Sequence, residues 1–315
     1  MTERDDSAGG DSMLTVVIAF AVNILVAVAK TVAAAVTGSA SMVAEAAHSW
    51  ADAGNEIFLL IAERRGGRGR DRRHPFGYGR ETYIWSMFAA FGLFTVGAVV
   101  SVMHGISALS EPEAESEYLV GYVVLGIAFV LEGISFLQSA RQARLDAARW
   151  SLHPLRYVLN TSKATLRAVF AEDAAALIGL LIAALGMVLH QITGSAVWDA
   201  LGSIGVGVLL GVIAIVLIKR NGEFLLGQVA RPQTRSLMLE HLLAHNDVQR
   251  VTYLHAEFVG PAQYYLVAAV DLVGDAPEHD VARRLRRLEE EVENHDAIVE
   301  AVLTLSTDDE VSLTR

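Results

Sequence analysis

The sequence predicts an α-helical membrane protein with six transmembrane helices, followed by a small cytoplasmic α+β domain of αββαβ order. Three observations predict this fold class. Of the 315 residues, 53% are hydrophobic, and the mean hydropathy is +0.39. The apolar residues are concentrated before about residue 218, in six stretches that reach the roughly 20 residues needed to cross a bilayer. After residue 220 the chain instead shows the shorter, mixed patterns of a soluble domain.

The six predicted spans are separated by short polar connections. They lie near Met13–Val36, Met42–Ala62, Thr82–Ala108, Tyr118–Gln138, Ala164–Leu189 and Ala196–Ile218. Residues 1–12 are acidic and polar, without the basic region and cleavage site of a signal peptide, so we expect a disordered lead there. The transmembrane domain then covers residues 13–220, and the cytoplasmic domain covers residues 221–315.

Basic residues are concentrated in two of the five connections between the spans. One carries Arg64, Arg65, Arg68, Arg70, Arg72, Arg73 and Arg80; the other carries Arg141, Arg144, Arg149, Arg156 and Lys163. The three alternate connections, 37–41, 110–117 and 191–195, carry no Lys or Arg. Because basic loops stay on the cytoplasmic side, both termini are expected to be cytoplasmic. With no targeting segment recognised, a prokaryotic inner membrane is the expected location.

Composition excludes several kinds of chemistry. The chain has no cysteine, which leaves His, Asp and Glu as the strong metal ligands. The formal net charge is −11, and the segment from Gly222 onward has 17 acidic and 8 basic residues. An acidic chain of this kind argues against nucleic acid as a partner.

The second span has an unusual polar stripe. Within Ser41–Glu63, residues Glu45, His48, Ser49, Asp52 and Glu56 fall on one helical face. A charged side chain at the bilayer centre costs about 2.5 to 3.5 kcal/mol on insertion scales, so this stripe must face protein or water. Ionisable residues inside a membrane predict a functional site.

His48 and Asp52 are the strongest metal-ligand pair on the stripe. Their spacing of four places imidazole nitrogen and carboxylate oxygen side by side, which suits a borderline divalent cation such as Zn²⁺. The fifth span adds Glu172 and Asp173. Several buried carboxylates would repel one another unless cations or protons intervene. Because adjacent helical residues point about 100° apart, we expect one of these two to bind the ion and the other to carry a proton or pair with Lys30.

Other polar residues in the spans are interpreted as supporting groups. Lys30, on one face with Asn23, requires a carboxylate partner such as Glu45 or Asp52. Asn55 and Glu56 are expected to line the path or pair nearby. The fourth span has a polar face that suits helix-to-helix hydrogen bonding as well as ligand contact. The third and sixth spans are rich in glycine and predict close helix packing, for example at Gly207 and Gly211.

Beyond residue 220, five elements are predicted in the order helix, strand, strand, helix, strand. Their ranges are Thr234–His245, Val248–Phe258, Gln263–Val273, Pro277–Asn294 and Ile298–Ser306. This order predicts a small open α+β sandwich, and nothing in it indicates catalysis. We therefore expect the protein not to be an enzyme.

Three motifs together resemble the cation diffusion facilitators, and nearly the whole chain is covered by the resemblance. They are GSASMVAEAAHSWAD from Gly38, HPFGYGR from His74 and FAEDAAALIG from Phe170. The first and last look most like the zinc-transporter-9-like branch. The resemblance implies six-helix exporters of divalent cations, usually homodimers, with a ferredoxin-like cytoplasmic αββαβ domain.

The resemblance also implies site residues. In the family, two residues four apart in span two and two in span five form a tetrahedral site. Here His48 and Asp52 match the first pair and Asp173 matches one residue of the second; the remaining position is Val169. Glu172 or water is the expected fourth ligand. A second ion site of some members is matched at Asp71 and His74, whereas its third position is Tyr78.

The predicted function is export of divalent cations, most readily Zn²⁺, from the cytoplasm in exchange for protons, with no other cofactor. The missing histidine at position 169 and the additional Glu172 keep Mn²⁺, Fe²⁺ or Co²⁺ open as the cargo. A non-transporting membrane scaffold, in which the polar stripe only joins helices, is the alternative from another class.

Overall fold

The computed structural model describes residues 6–110, 118–149 and 152–314. These residues form long helices followed by a small mixed domain. The helices are α1 (Asp6–Thr37), α2 (Ala40–Gly66), α3 (Glu81–Gly92), a π-helical segment (Leu93–Val99), α4 (Val100–Ala108), α5 (Tyr118–Ala148), α6 (Pro154–Asn160), α7 (Ala164–Thr193) and α8 (Val197–Leu225). The domain contains α9 (Pro232–Leu243), β1 (Val248–Gly260), β2 (Gln263–Leu272), α10 (Glu278–Glu293) and β3 (Ile298–Leu305).

Among the described residues, five helical stretches are long and apolar enough to span a membrane. They are Phe20–Thr37, Glu81–Ala108, Tyr118–Ala148, Ala164–Thr193 and Val197–Leu225. The helix α2 has 27 residues, which is also long enough to cross a bilayer, but its polar stripe and terminal arginines make it less apolar than the other five. The chain is thus a multi-pass integral membrane protein.

The observed helices differ from the predicted spans mainly because some of them extend into polar residues beyond the apolar stretch. The helix α1 begins at Asp6, so residues 6–12 of the predicted disordered lead are helical, while residues 1–5 lie outside the described range. Likewise α5 runs ten residues past the predicted end at Gln138. Adding residues to an existing helix is far easier than nucleating one, so helices extend beyond the apolar segment. The short α6 was not predicted.

Two compact units make up the chain. One is Met1–Ile61 with Trp85–Arg220, and the other is Ala62–Ile84 with Asn221–Arg315. In the second unit, β1 and β2 pair antiparallel, and β3 lies parallel to β2 in the sheet order β1-β2-β3. The predicted αββαβ order is confirmed, because alternating apolar residues bury one face of each strand.

Small residues bring the third span, made of the π-helical segment and α4, into backbone contact with α8 within the first unit. A Cβ added to Gly105 would lie 2.9 Å from the carbonyl oxygen of Ala200, and one added to Gly207 would lie 2.8 Å from that of Ala98. Side chains larger than hydrogen would separate the helices at both points. This confirms the predicted packing role of the glycine-rich spans.

Several apolar cores hold the helices of the first unit together, and two of them contain eight buried residues each. One core joins α1, α2, α5 and α7 through Ala33, Ala34, Met42, Leu125, Ala128, Leu180, Ala183 and Met187. We call these eight residues the apolar seal. The other core contains Ala51, Leu93 and Leu210 among its members and packs α2 against the third and last spans.

Candidate metal site

The polar stripe on α2 contains many buried atoms that make no hydrogen bond within the described residues. They are Glu45 Oε1, both ring nitrogens of His48, Ser49 Oγ, Asp52 Oδ1 and Glu56 Oε2. Buried polar atoms in native proteins almost always have a partner, so each exception requires an explanation. A ligand that is bound only transiently would explain a whole stripe of them.

His48 and Asp52 lie together at the centre of this stripe. His48 is completely buried, and its Nε2 atom lies 3.4 Å from Asp52 Oδ2. The spacing of four on α2 produces this proximity, as predicted. Neither ring nitrogen has a hydrogen-bond partner among the described residues, so neither nitrogen is committed to a contact within the protein. An imidazole nitrogen beside a carboxylate oxygen is a donor set that suits Zn²⁺.

The two acidic residues of α7 are held by different neighbours. Asp173 accepts hydrogen bonds from the hydroxyl groups of Ser135 and Ser139 on α5, at 3.0 and 2.9 Å. Glu172 accepts one from the Asn55 side-chain amide on α2, at 3.1 Å. Pairing of one of these two acids with Lys30, an alternative to its carrying a proton, is not seen among the described residues, because Lys30 contacts Glu45 instead. Each carboxylate is therefore oriented by a neutral donor.

A cavity of about 350 Å³ connects these groups between α1, α2, α5 and α7. Its lining includes Asp52, Glu172, Asp173 and Glu132, and Val169 also faces it. Across the described residues, no three His, Asp or Glu side chains are close enough to hold one ion together. Asp52, Glu172 and Asp173 thus line a common cavity without forming a closed coordination shell. His48 lies next to Asp52 but is not among the lining residues.

Lys30 and Glu45 form an ion pair next to the site. The ammonium nitrogen lies 3.0 Å from Glu45 Oε2, and both side chains are completely buried. This confirms the predicted pairing and selects Glu45 over Asp52. Asn23 pairs in a similar way with Glu56, its amide donating to Oε1 at 2.6 Å. Both supporting contacts join α1 to α2.

Asp71 and His74, the predicted second metal site, lie in an exposed loop and bond to each other. Asp71 accepts hydrogen bonds from the Tyr78 hydroxyl at 2.7 Å and from the backbone N–H of His74 at 2.7 Å. Tyr78, which stands at the third ligand position, therefore closes the loop internally. The contacts that the structure shows are internal to the loop, and the ion site at Asp71 and His74 stays a prediction.

Asp199 is a buried charged residue whose role the sequence did not reveal. It lies at the start of α8, is 4% exposed, and binds the beginning of α2. Its carboxylate accepts hydrogen bonds from the Ser39 hydroxyl at 2.8 Å, the Ala40 N–H at 2.5 Å and the Ser41 N–H at 3.3 Å. A helix N-terminus stabilises an anionic acceptor. The signal in the sequence was an acid at the edge of an apolar span.

Replacing Asp199 by alanine should therefore destabilise the protein. Two N–H groups at the buried start of α2 would lose their acceptor, and we expect a loss of about 2 kcal/mol in the free energy of unfolding. Asp199→Asn, which keeps one acceptor oxygen, should lose less. Thermal unfolding in detergent measures both. Ser195→Ala, on the same connection, is the control and should change stability by less than about 0.5 kcal/mol; equal losses at the two positions would contradict the capping role.

The fold is that of a polytopic membrane protein with a buried, carboxylate-lined cavity between its helices. Residues 16–226 match the family model of the cation efflux transmembrane domain. The chain therefore belongs to the cation efflux family, also called the cation diffusion facilitators, as the motifs predicted.

Curated relatives agree with this assignment. The chain is 32% identical over 248 residues to metal tolerance protein C4 of Arabidopsis thaliana, covering 79% of this chain and 54% of the relative. It is 34% identical over 259 residues to the mitochondrial proton-coupled zinc antiporter SLC30A9 of Xenopus laevis, and 33% identical to that of Homo sapiens, covering 82% of this chain and 46% of each relative. The chain thus spans about half the length of the curated relatives it matches.

Proposed function

We propose that this protein is a secondary active transporter that moves divalent cations, Zn²⁺ foremost, out of the cytoplasm in exchange for protons. His48, Asp52 and Asp173 bind the ion, and Glu172 or a water molecule supplies the fourth ligand. The observation that carries this proposal is the row of unpartnered buried atoms on α2 beside a cavity lined by carboxylates, among the described residues. The names of the relatives, which are zinc antiporters or a metal tolerance protein, also support it.

The position of the cavity supports an inward-open arrangement. Its lining residues on α2, α5 and α7 lie towards the helix ends that adjoin the two basic loops. The apolar seal occupies the opposite halves of the same helices. Since basic loops remain cytoplasmic, the cavity opens to the cytoplasm and both termini lie on that side.

Competition between protons and metal provides the coupling. Carboxylate and imidazole groups bind a metal ion only when deprotonated, so ion binding from the cytoplasm releases protons. After the cavity opens to the other side, protons at a higher concentration displace the ion from the same atoms. The exchanged protons bind to the same carboxylate and imidazole groups that bind the metal ion.

The choice of metal depends on position 169. Val169 faces the cavity where a histidine would complete a pair with Asp173. The donor set is therefore richer in oxygen, which moves its preference towards harder ions such as Mn²⁺. Manganese, iron or cobalt transport is the second candidate for this reason.

Zinc uptake into liposomes tests the proposal. Purified protein reconstituted with an acidic lumen should accumulate Zn²⁺ and raise the luminal pH, because protons leave as metal enters. Dissipating the pH gradient with an ionophore should abolish net accumulation. Adding Mn²⁺ or Co²⁺ in excess identifies the preferred ion. Zinc flux that does not depend on the pH gradient would overturn the exchange model, and folded protein with no ion flux would favour the scaffold.

A further inference from the structure

The loop between α2 and α3 carries a concentration of positive charge that the transport site does not use. Six arginines occur within ten residues, in a chain whose net charge is −11. Arg64 and Arg65 lie in the last turn of α2, and Arg68, Arg70, Arg72 and Arg73 lie in the loop itself; all six are exposed. We call residues 67–80, which follow α2 directly, the arginine loop. It is a local cationic surface on an acidic protein.

A tight turn orders the tip of the arginine loop. The backbone N–H of Asp71 donates to the carbonyl oxygen of His74, and the N–H of His74 donates to that of Asp71, both at 3.2 Å. The Asp71 carboxylate also accepts from the backbone N–H of Arg73 at 2.8 Å. Arg72 and Arg73 therefore stand at the apex of a closed turn.

The carboxylate of Asp71, the acidic residue in this turn, accepts hydrogen bonds from other residues of the arginine loop. The hydrogen bond from the Tyr78 hydroxyl, with those from backbone N–H groups, lowers the pKa of Asp71 to about 2. Because the pKa is lowered, these hydrogen bonds stabilise the folded turn fully at pH values above the ordinary aspartate pKa of 3.8. The stabilisation is lost as the pH falls through about 2. The turn therefore keeps its shape throughout the physiological range.

The other side of the arginine loop is anchored on the β1–β2 hairpin of the same compact unit. The ring of Phe76 lies 5.0 Å from that of Tyr265, and Arg80 donates to Glu257 at 3.3 Å. Gly79 packs so closely on Gly260 that an added Cβ would lie 2.7 Å from its Cα. The end of the loop that precedes α3 is thus fixed on the hairpin.

Three guanidinium groups at the tip are available for a partner. Arg70, Arg72 and Arg73 are exposed, and none forms an ion pair with another described residue. Arg72 is six residues beyond the end of α2, so it lies within about 21 Å of the end of a membrane-spanning helix. The charge at the tip therefore stays near the membrane surface.

We propose that this arginine-tipped turn binds the phosphate groups of anionic lipids on the cytoplasmic leaflet. Arginine pairs with phosphate oxygens through two parallel hydrogen bonds, and basic segments next to transmembrane helices are attracted to anionic membranes. The rule that places basic loops in the cytoplasm accounts for the charge of this loop. It does not account for a hydrogen-bonded turn that holds two arginines side by side.

Lipid titration of the full-length protein tests this inference without requiring transport. Delipidated protein in neutral detergent is titrated with phosphatidylglycerol or phosphatidylcholine, and bound lipids are counted by native mass spectrometry. The wild type should bind the first phosphatidylglycerol at least tenfold more tightly than phosphatidylcholine. The triple variant Arg70→Gln/Arg72→Gln/Arg73→Gln should lose about 100-fold in affinity for phosphatidylglycerol. Inorganic phosphate in excess should not displace the lipid.

Two matched variants make the result decisive. Arg141→Gln/Arg144→Gln/Arg149→Gln removes the same charge from the other basic connection and should change the affinity less than about threefold. Asp71→Ala makes the protein more positive yet opens the turn, so it should weaken lipid binding severalfold. Equal losses in the two triple variants, tighter binding by Asp71→Ala, or displacement by inorganic phosphate would overturn the proposal.

Discussion

Asp52→Asn should lower zinc flux in liposomes by at least about 100-fold while leaving the protein folded. Changes to groups that merely orient a metal ligand already cost roughly 10- to 100-fold in affinity, so loss of a ligand itself should cost more. The amide has the same shape as the carboxylate but is a far weaker metal ligand. Because Asp52 Oδ1 has no hydrogen-bond partner in the described part of the chain, removing its charge should not reduce thermal stability. Flux assays and thermal unfolding in detergent measure the two effects.

Glu63→Gln is the matched control for Asp52→Asn. It makes the same chemical change on α2, at an exposed position outside the cavity, and should retain full flux. His48→Ala should resemble Asp52→Asn in flux. A variant at position 52 that transports normally would refute the assignment of the ligand. A large loss of stability without a specific loss of flux would favour the scaffold.

Lys30→Met should destabilise the protein by about 3 to 5 kcal/mol, because it leaves the Glu45 carboxylate unpaired in a fully buried position. The double variant Lys30→Met/Glu45→Leu should recover most of that loss, since apolar replacements of a buried ion pair are often neutral. Close packing limits the repair, because a Cβ on Gly179 would already lie 2.6 Å from Glu45 Oε1. Chemical denaturation in detergent measures the change.

Lys163→Met provides the comparison for the buried pair. Lys163 pairs with Asp146 at 2.9 Å, but the lysine side chain is 44% exposed. The Asp146 side chain is 5% exposed, but it keeps hydrogen bonds from Gln142 at 3.2 Å and Tyr157 at 3.4 Å. This variant should therefore cost about 1 to 2 kcal/mol, less than Lys30→Met. Similar losses at Lys30 and Lys163, or a double variant as unstable as the single one, would contradict our account of the pair.

Local patterns in the sequence predicted most of the secondary structure. Strand β1 begins at the predicted Val248, β2 at the predicted Gln263, and β3 at the predicted Ile298. Alternating burial has a period of two and needs no knowledge of distant contacts. The π-helical segment Leu93–Val99 and the short helix α6 were missed, because neither has a distinctive apolar period. Both depend on how neighbouring helices pack.

The sequence predicted those contacts of the site that join residues close together on one helix. His48 and Asp52 are four residues apart on one helix, so their proximity follows from helix geometry alone. Pairings between helices were not predictable in the same way. Either of two carboxylates could have paired with Lys30, and only packing selects Glu45. Glu172 pairs with Asn55 across 117 residues, a contact that no periodicity encodes.

The sequence by itself determined that this chain crosses a membrane repeatedly, ends in an αββαβ domain and carries ionisable residues on one face of its second span. Apolar length and helical periodicity are local properties, so they can be read from the residues alone. Tertiary structure decided that Asp199 caps α2 from a distant part of the chain, that Tyr78 closes the turn at Asp71, and that one cavity joins Asp52 to Asp173. Those features depend on which helix faces lie against one another, and packing of the whole bundle sets that arrangement.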